Sequence, residues 1–196
     1  MKKKIVLTSI IALSLALVVA VGVTVAYLFV KSDSVVNTFT PSDIDITLVE
    51  TPVGEGTSLQ NSYQMIPGMP ITKDPKVTVT NDIACYVFVK VVESNNFDEY
   101  MTYAIAQGWK LYDTGAETIN TVAQDTYVIY RELSANEGLD KELVIANNTI
   151  NVSADVTKDM MNSLYTNGNY PTLTFSAAAV QSANLTLQAA YAQLGW

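Results

Sequence analysis

The sequence contains no histidine and a single cysteine. Without histidine there is no Ser-His-Asp or Cys-His machinery and no His-x-x-x-His zinc site. One cysteine, Cys85, excludes an intramolecular disulfide and a thiolate zinc site. It lies in the apolar run 84–92, where a free thiol packs as a small hydrophobe. Basic residues are scarce as well: 11 Lys and Arg stand against 19 Asp and Glu, for a net charge of −8. Such a surface is a poor partner for nucleic acid or anionic headgroups. No Asp-x-Asp-x-Asp-Gly loop is present, which excludes an EF-hand. Asp74 and Asp82 remain as loop acids that could hold a cation weakly, though solvated acids are the simpler reading. Asp and Glu pairs can in principle hydrolyse glycosides, but Asp43 and Asp45, two apart on a strand, share its solvent face, the usual place for solvated acids. Trp109 and Trp196 are candidate sugar-stacking platforms, but Trp109 follows a glycine stop and reads as core. We therefore expect no enzymatic activity, no cofactor and no metal.

The first residues of the chain look like an export device. Lys2, Lys3 and Lys4 precede Ile5–Val30, 26 residues without a charge. A basic start followed by an apolar run is the layout of an export signal, and this run is also long enough to span a bilayer. Two readings stay open, a cleaved signal and a retained anchor; in both the remainder goes outside. Loss of the three lysines would leave 8 basic and 19 acidic residues, a net charge of −11. Ala26 at −1 with Thr24 at −3 fits a small-residue cleavage site and makes Tyr27 the new N-terminus. A cut after Ala20, with Val18 at −3, also fits by side-chain size. The later cut leaves the shorter apolar remnant and is preferred.

Beyond the apolar run the pattern turns to β. Residues 42–50 alternate, with Ile44, Ile46 and Leu48 on one face, as a half-buried strand requires. Residues 51–62 read as a loop, and Pro67-Gly68 as a turn. Strands are expected over 76–80, with Val77 and Val79 inward, and over 85–92, where both faces are apolar and a central strand follows. Asn96 to Gly108 has helical spacing at Phe97, Tyr100, Met101, Ala104 and Ile105. Further strands are expected at 109–112, 126–132 and 172–181, with a polar loop at 113–125. Asn147-Asn148 between 141–146 and 149–154 suggests a hairpin, because asparagine tolerates the left-handed conformation. Helices are expected at 157–165, capped by Thr157 with Met160, Met161, Leu164 and Tyr165 on one side, and at 182–194. The sum is mainly β: an antiparallel β-sandwich with two or three short helices in its connections.

Four stretches, in this order, resemble the TasA/camelysin family of Gram-positive proteins exported through a SipW-type signal peptidase. They are Thr24-Val25-Ala26-Tyr27; residues 37–48, NTFTPSDIDITL; residues 67–79, PGMPITKDPKVTV, followed by CYVFVKV at 85–91; and PTLTF at 171–175 with Ala179-Val180-Gln181. The resemblance implies a jelly-roll-like sandwich, an extracellular or cell-surface location, and a structural role in a surface or biofilm-matrix fibre. It divides the chain into a signal peptide at 1–26, an apolar N-terminal strand at 27–40 and one β-sandwich domain at 41–196. Camelysin is described as a metalloprotease, but no His-Glu-x-x-His exists here and that activity is not carried over.

A chain cut after Ala26 begins with Tyr27, Leu28, Phe29 and Val30, with Val35, Val36 and Phe39 following. Exposed, these side chains would cost solubility. They can form an extra strand on their own sheet. They can equally add to a neighbour's open sheet edge, as a donor strand, and head-to-tail repetition then grows a filament. The partners expected on that reading are other copies of the chain, the signal peptidase during export, and the membrane before cleavage only; other matrix proteins are a further open class. A membrane-anchored monomeric adhesion module is the alternative.

Overall fold

The structure is a computed structural model that describes residues 42–112 and 126–196. The cleavage residues Thr24, Ala26 and Tyr27 lie outside the described residues. So do Leu28, Phe29, Val30, Val35, Val36 and Phe39 of the candidate donor strand, and the loop at 113–125. Among the described residues no helix is long and apolar enough to cross a membrane.

In chain order the elements are β1 (Ile44–Val49), β2 (Pro70–Thr72), β3 (Lys76–Asn81), β4 (Cys85–Glu93), α1 (Phe97–Tyr100), β5 (Met101–Ile105), β6 (Lys110–Leu111), β7 (Thr126–Leu133), β8 (Leu139–Leu143), β9 (Ile145–Val152), α2 (Lys158–Asn167), β10 (Leu173–Gln181) and α3 (Leu187–Ala192). Among the described residues the strands make three sheets, in the orders β1-β3-β8, β10-β4-β7-β6 and β2-β9-β5. Every pairing is antiparallel. The fold is thus mainly β with few helices, as expected from the sequence.

The side-chain alternation explains how the first two sheets meet. Val77 and Val79 of β3 are buried, with Leu48 and Ile46 of β1 opposite them in register. They pack on Val87, Val89 and Val91 of β4 and Ile129 of β7, and Trp109 and Val144 complete this core. The opposite face of β4 carries Phe88, fully buried beneath Ala190 and Tyr191 of α3. Burying a Val or Phe side chain contributes about 1.5–3 kcal/mol, so β4 alone outweighs several hydrogen bonds. A slip of one residue would swing Lys90 towards the valine core, which fixes the register. A second core joins β5, β9 and α2 through Met101, Ile145, Ile150, Val152 and Leu164.

Four local expectations are corrected. The helix expected over 96–108 is only α1, and Met101–Ile105 is strand β5. Met101, Tyr103 and Ile105 also satisfy period two, and pairing with β9 sets Met101 and Tyr103 against the core that holds Ile150 and Val152. Asn147 and Asn148 do adopt positive φ, 56° and 54°, but within the continuous strand β9 rather than in a hairpin turn. They fall in the register shift where Tyr103 and Ile105 face Ile150 and Ile145, so the pair forms a bulge. Helix α2 has its Thr157 cap, whose side chain accepts from the Met160 N–H, but Tyr165 is 73 % exposed and lies off its buried side. Helix α3 starts at Leu187 instead of Ser182, because Asn184 turns the chain at φ 60° and Thr186 caps the helix.

Candidate functional site

Two features of the fold share residues of β1 and β10: a pair of strand edges and a cleft. Strand β1 pairs with β3 alone among the described residues, and β10 with β4 alone. The two strands run beside each other where their sheets approach. Along β10 the inward positions change from Leu173 and Phe175 to the small Ala177 and Ala179, both packed on the first core. Strand edges expose backbone N–H and C=O groups, the template for adding another strand.

The cleft has a volume of about 710 Å³. It opens where β1 ends, between the loop at 50–65, β2, α1 and residues 170–175. The loop is not free coil. Asp74 accepts from the Thr51 N–H at 2.9 Å and from its hydroxyl at 2.7 Å, and pairs with Lys76 at 2.7 Å. The Thr57 hydroxyl accepts from the N–H groups of Leu59 and Gln60. The Glu50 N–H donates to the Ser58 carbonyl at 3.0 Å. Apolar residues such as Leu48, Ile71, Phe97 and Phe175 form much of the wall, and Val49, Leu59 and Tyr170 are large apolar side chains left exposed among its lining residues.

Two charged side chains, Glu50 and Lys73, sit in that wall. Lys73 is buried and its Nζ lies 2.6 Å from Glu50 Oε1. Glu50 Oε2 accepts from Asn61 Nδ2 and from the Tyr63 hydroxyl, each at 3.2 Å. Burial, followed by the charge of Glu50, pushes the Tyr63 phenol well above its ordinary range. A second polar cluster lies deeper. The Tyr103 hydroxyl donates to buried Glu93 and shares a hydrogen bond with the Tyr127 hydroxyl. Burial raises both phenols.

The residues singled out in the sequence fare differently. Trp109 is fully buried, donates its indole N–H to the Leu143 carbonyl at 2.8 Å and stacks under Arg131. Trp196 packs partly buried against the third core. Cys85 is buried, and its thiol is pushed up by that burial and then by Glu137. Asp43 and Asp45 are exposed. Asp74 is engaged by Thr51 and Lys76, and is not an open ligand. Among the described residues no three His, Cys, Asp or Glu side chains converge as a metal site would need. The group of Glu50, Asn61, Tyr63 and Lys73 is not legible in the sequence, since Glu50 ends an expected strand and the others are dispersed through the loop and turn that follow.

No family model, curated protein or solved structure matches the chain.

Proposed function

We propose that this chain is an exported, non-enzymatic structural subunit of an extracellular surface or biofilm-matrix fibre, similar in kind to TasA. Its sheets would form a jelly-roll-like sandwich, and the apolar strand at 27–40, freed by cleavage after Ala26, would add to a sheet edge of the next subunit. The observation that supports this reading is the β10 edge. It is nine residues long and hydrogen-bonds to β4 alone among the described residues, with β1 alongside but not paired to it. Its small inward side chains leave room for large ones from an added strand, and Leu28 and Val30 are of that kind. Main-chain hydrogen bonds supply affinity in such an addition, while alternate side chains supply register. Subunits joined this way are related head to tail, and nothing in that geometry closes the chain of contacts.

The exposed apolar side chains at the cleft, Leu59 and Tyr170, favour a second reading, a monomeric surface-binding module held by residues 5–30. Sedimentation and electron microscopy of two proteins, one starting at Tyr27 and one at Asn37, separate the two readings. The fibre account expects the first to form filaments. It expects the second to stay monomeric and to bind a synthetic peptide of residues 27–40. If both proteins stay monomeric on concentration, acidification and exposure to an interface, the fibre reading fails.

A further inference from the structure

The wall of the cleft holds an arrangement that the fibre reading does not use. A single carboxylate, that of Glu50, lies between an amine and a carboxamide. Its Oε1 accepts from Lys73 Nζ at 2.6 Å and its Oε2 from Asn61 Nδ2 at 3.2 Å. The amine side of the group is buried and aromatic. Lys73 is 7 % exposed, and its Nζ lies 5.4 Å from the centre of the Tyr63 ring and 5.5 Å from that of Phe175. The carboxamide is also held on its other side. Asn61 Oδ1 accepts the Val53 N–H at 2.9 Å, which directs a backbone dipole at the oxygen where negative charge would collect during attack on the amide carbon. Gly56 allows this close approach: a Cβ there would sit 2.2 Å from Asn61 Oδ1. Nucleophile and polarised electrophile are therefore held by one proton carrier, each on its own oxygen of the Glu50 carboxylate.

We propose that Lys73 and Asn61 join in an intramolecular isopeptide bond, with Glu50 as the catalytic proton carrier. Nζ yields a proton to Glu50 Oε1, and its lone pair attacks Asn61 Cγ. The tetrahedral oxyanion rests on the Val53 N–H. Glu50 delivers the two protons that Nζ loses to Nδ2, which departs as ammonium when the Cγ–Nδ2 bond breaks. One C–N bond forms, one breaks, and Glu50 ends as the carboxylate it began as. No oxidant is consumed, which suits a chain with one cysteine and no disulfide. The bond turns segment 61–73 into a covalent ring and fixes the loop at the cleft. The proposal stands apart from the fibre reading, because the reaction takes place within one folded subunit.

The test is the intact mass of the purified, denatured full chain, followed by chymotryptic mapping. The expected mass is about 17 Da below that of the sequence, one ammonia. The expected map contains a branched peptide joining Asn61 to Lys73, with chain cleavage after Tyr63 between them. Lys73→Arg keeps a cation opposite Glu50 but removes the nucleophile, and Glu50→Gln removes the proton carrier. Each should restore the unreacted mass for its sequence, with circular dichroism reporting that the β fold is kept. A wild-type chain at the unreacted mass overturns the proposal. So does a loss of about 17 Da that maps to a succinimide at Asn167-Gly168 without a branched peptide.

Discussion

Replacing Asp74 tests how the loop at the cleft is held to the sheets. Its carboxylate ties Thr51, just past β1, to Lys76, the first residue of β3. Asp74→Asn keeps the size and one acceptor for the Thr51 N–H, and loses the ion pair with Lys76. A hydrogen bond to a charged group contributes about 1.5–3 kcal/mol. The Lys76 side chain is 27 % exposed, so solvent screening reduces its share. We expect a loss of about 2 kcal/mol at pH 7, or about 4–8 °C in Tm for a chain of this size. The pH dependence is the sharper readout. Burial alone would raise the carboxyl, but the hydrogen bonds from Lys76 and Thr51 outweigh it and hold it below its ordinary 3.8. With the folded value below the unfolded one, the contribution is complete above about pH 4 and disappears as pH falls through the folded value. Urea titrations of wild type and Asp74→Asn from pH 7 down to pH 2 should therefore converge in the acid range. A stability gap that is absent at pH 7, or that persists unchanged at pH 2, would refute the assignment.

Asn81 is buried, donates to the Ile83 and Ser134 carbonyls and accepts from the Gly138 N–H. Asn81→Ala should cost about 3 kcal/mol in chemical denaturation, because three backbone groups lose a partner. Trp109→Phe removes the bond to Leu143 and weakens the stacking with Arg131; a loss of about 2 kcal/mol is expected in chemical denaturation. Thr157→Ala removes the cap of α2 and should cost about 1 kcal/mol. The raised phenols of Tyr103 and Tyr127 contribute stability that is complete below about pH 10 and is lost as pH rises towards their folded values. Phenolate absorbance from these two should appear only together with alkaline unfolding seen by circular dichroism.

Much of the sheet framework could be read from side-chain pattern. Strands β1 and β3 follow from strict alternation, and β4 from apolar residues on both faces, because period two is imposed by the pleat itself. Where one segment satisfied two periods, pattern was not enough. Met101, Tyr103 and Ile105 fit a helix and a strand alike, and the decision came from β9, distant in sequence. Asn147 and Asn148 signalled their left-handed backbone correctly. Whether such a pair reverses a chain or bulges a strand depends on the partner strand, which no local window contains. The cluster of Glu50, Asn61 and Lys73 was illegible for the same reason. It forms only when β1 pairs with β3 and the intervening loop folds back through Asp74, Thr57 and Gly56.

If assembly adds a strand to the β10 edge, amide hydrogen exchange reports it residue by residue. Exchange along Leu173–Gln181 should be compared between the soluble protein that starts at Asn37 and fibres of the protein that starts at Tyr27. The account predicts that amides of β10 that exchange freely in the monomer slow by at least about 100-fold in the fibre, while the already paired core of β4 changes little. Fibres in which β10 exchanges as fast as in the monomer would contradict it.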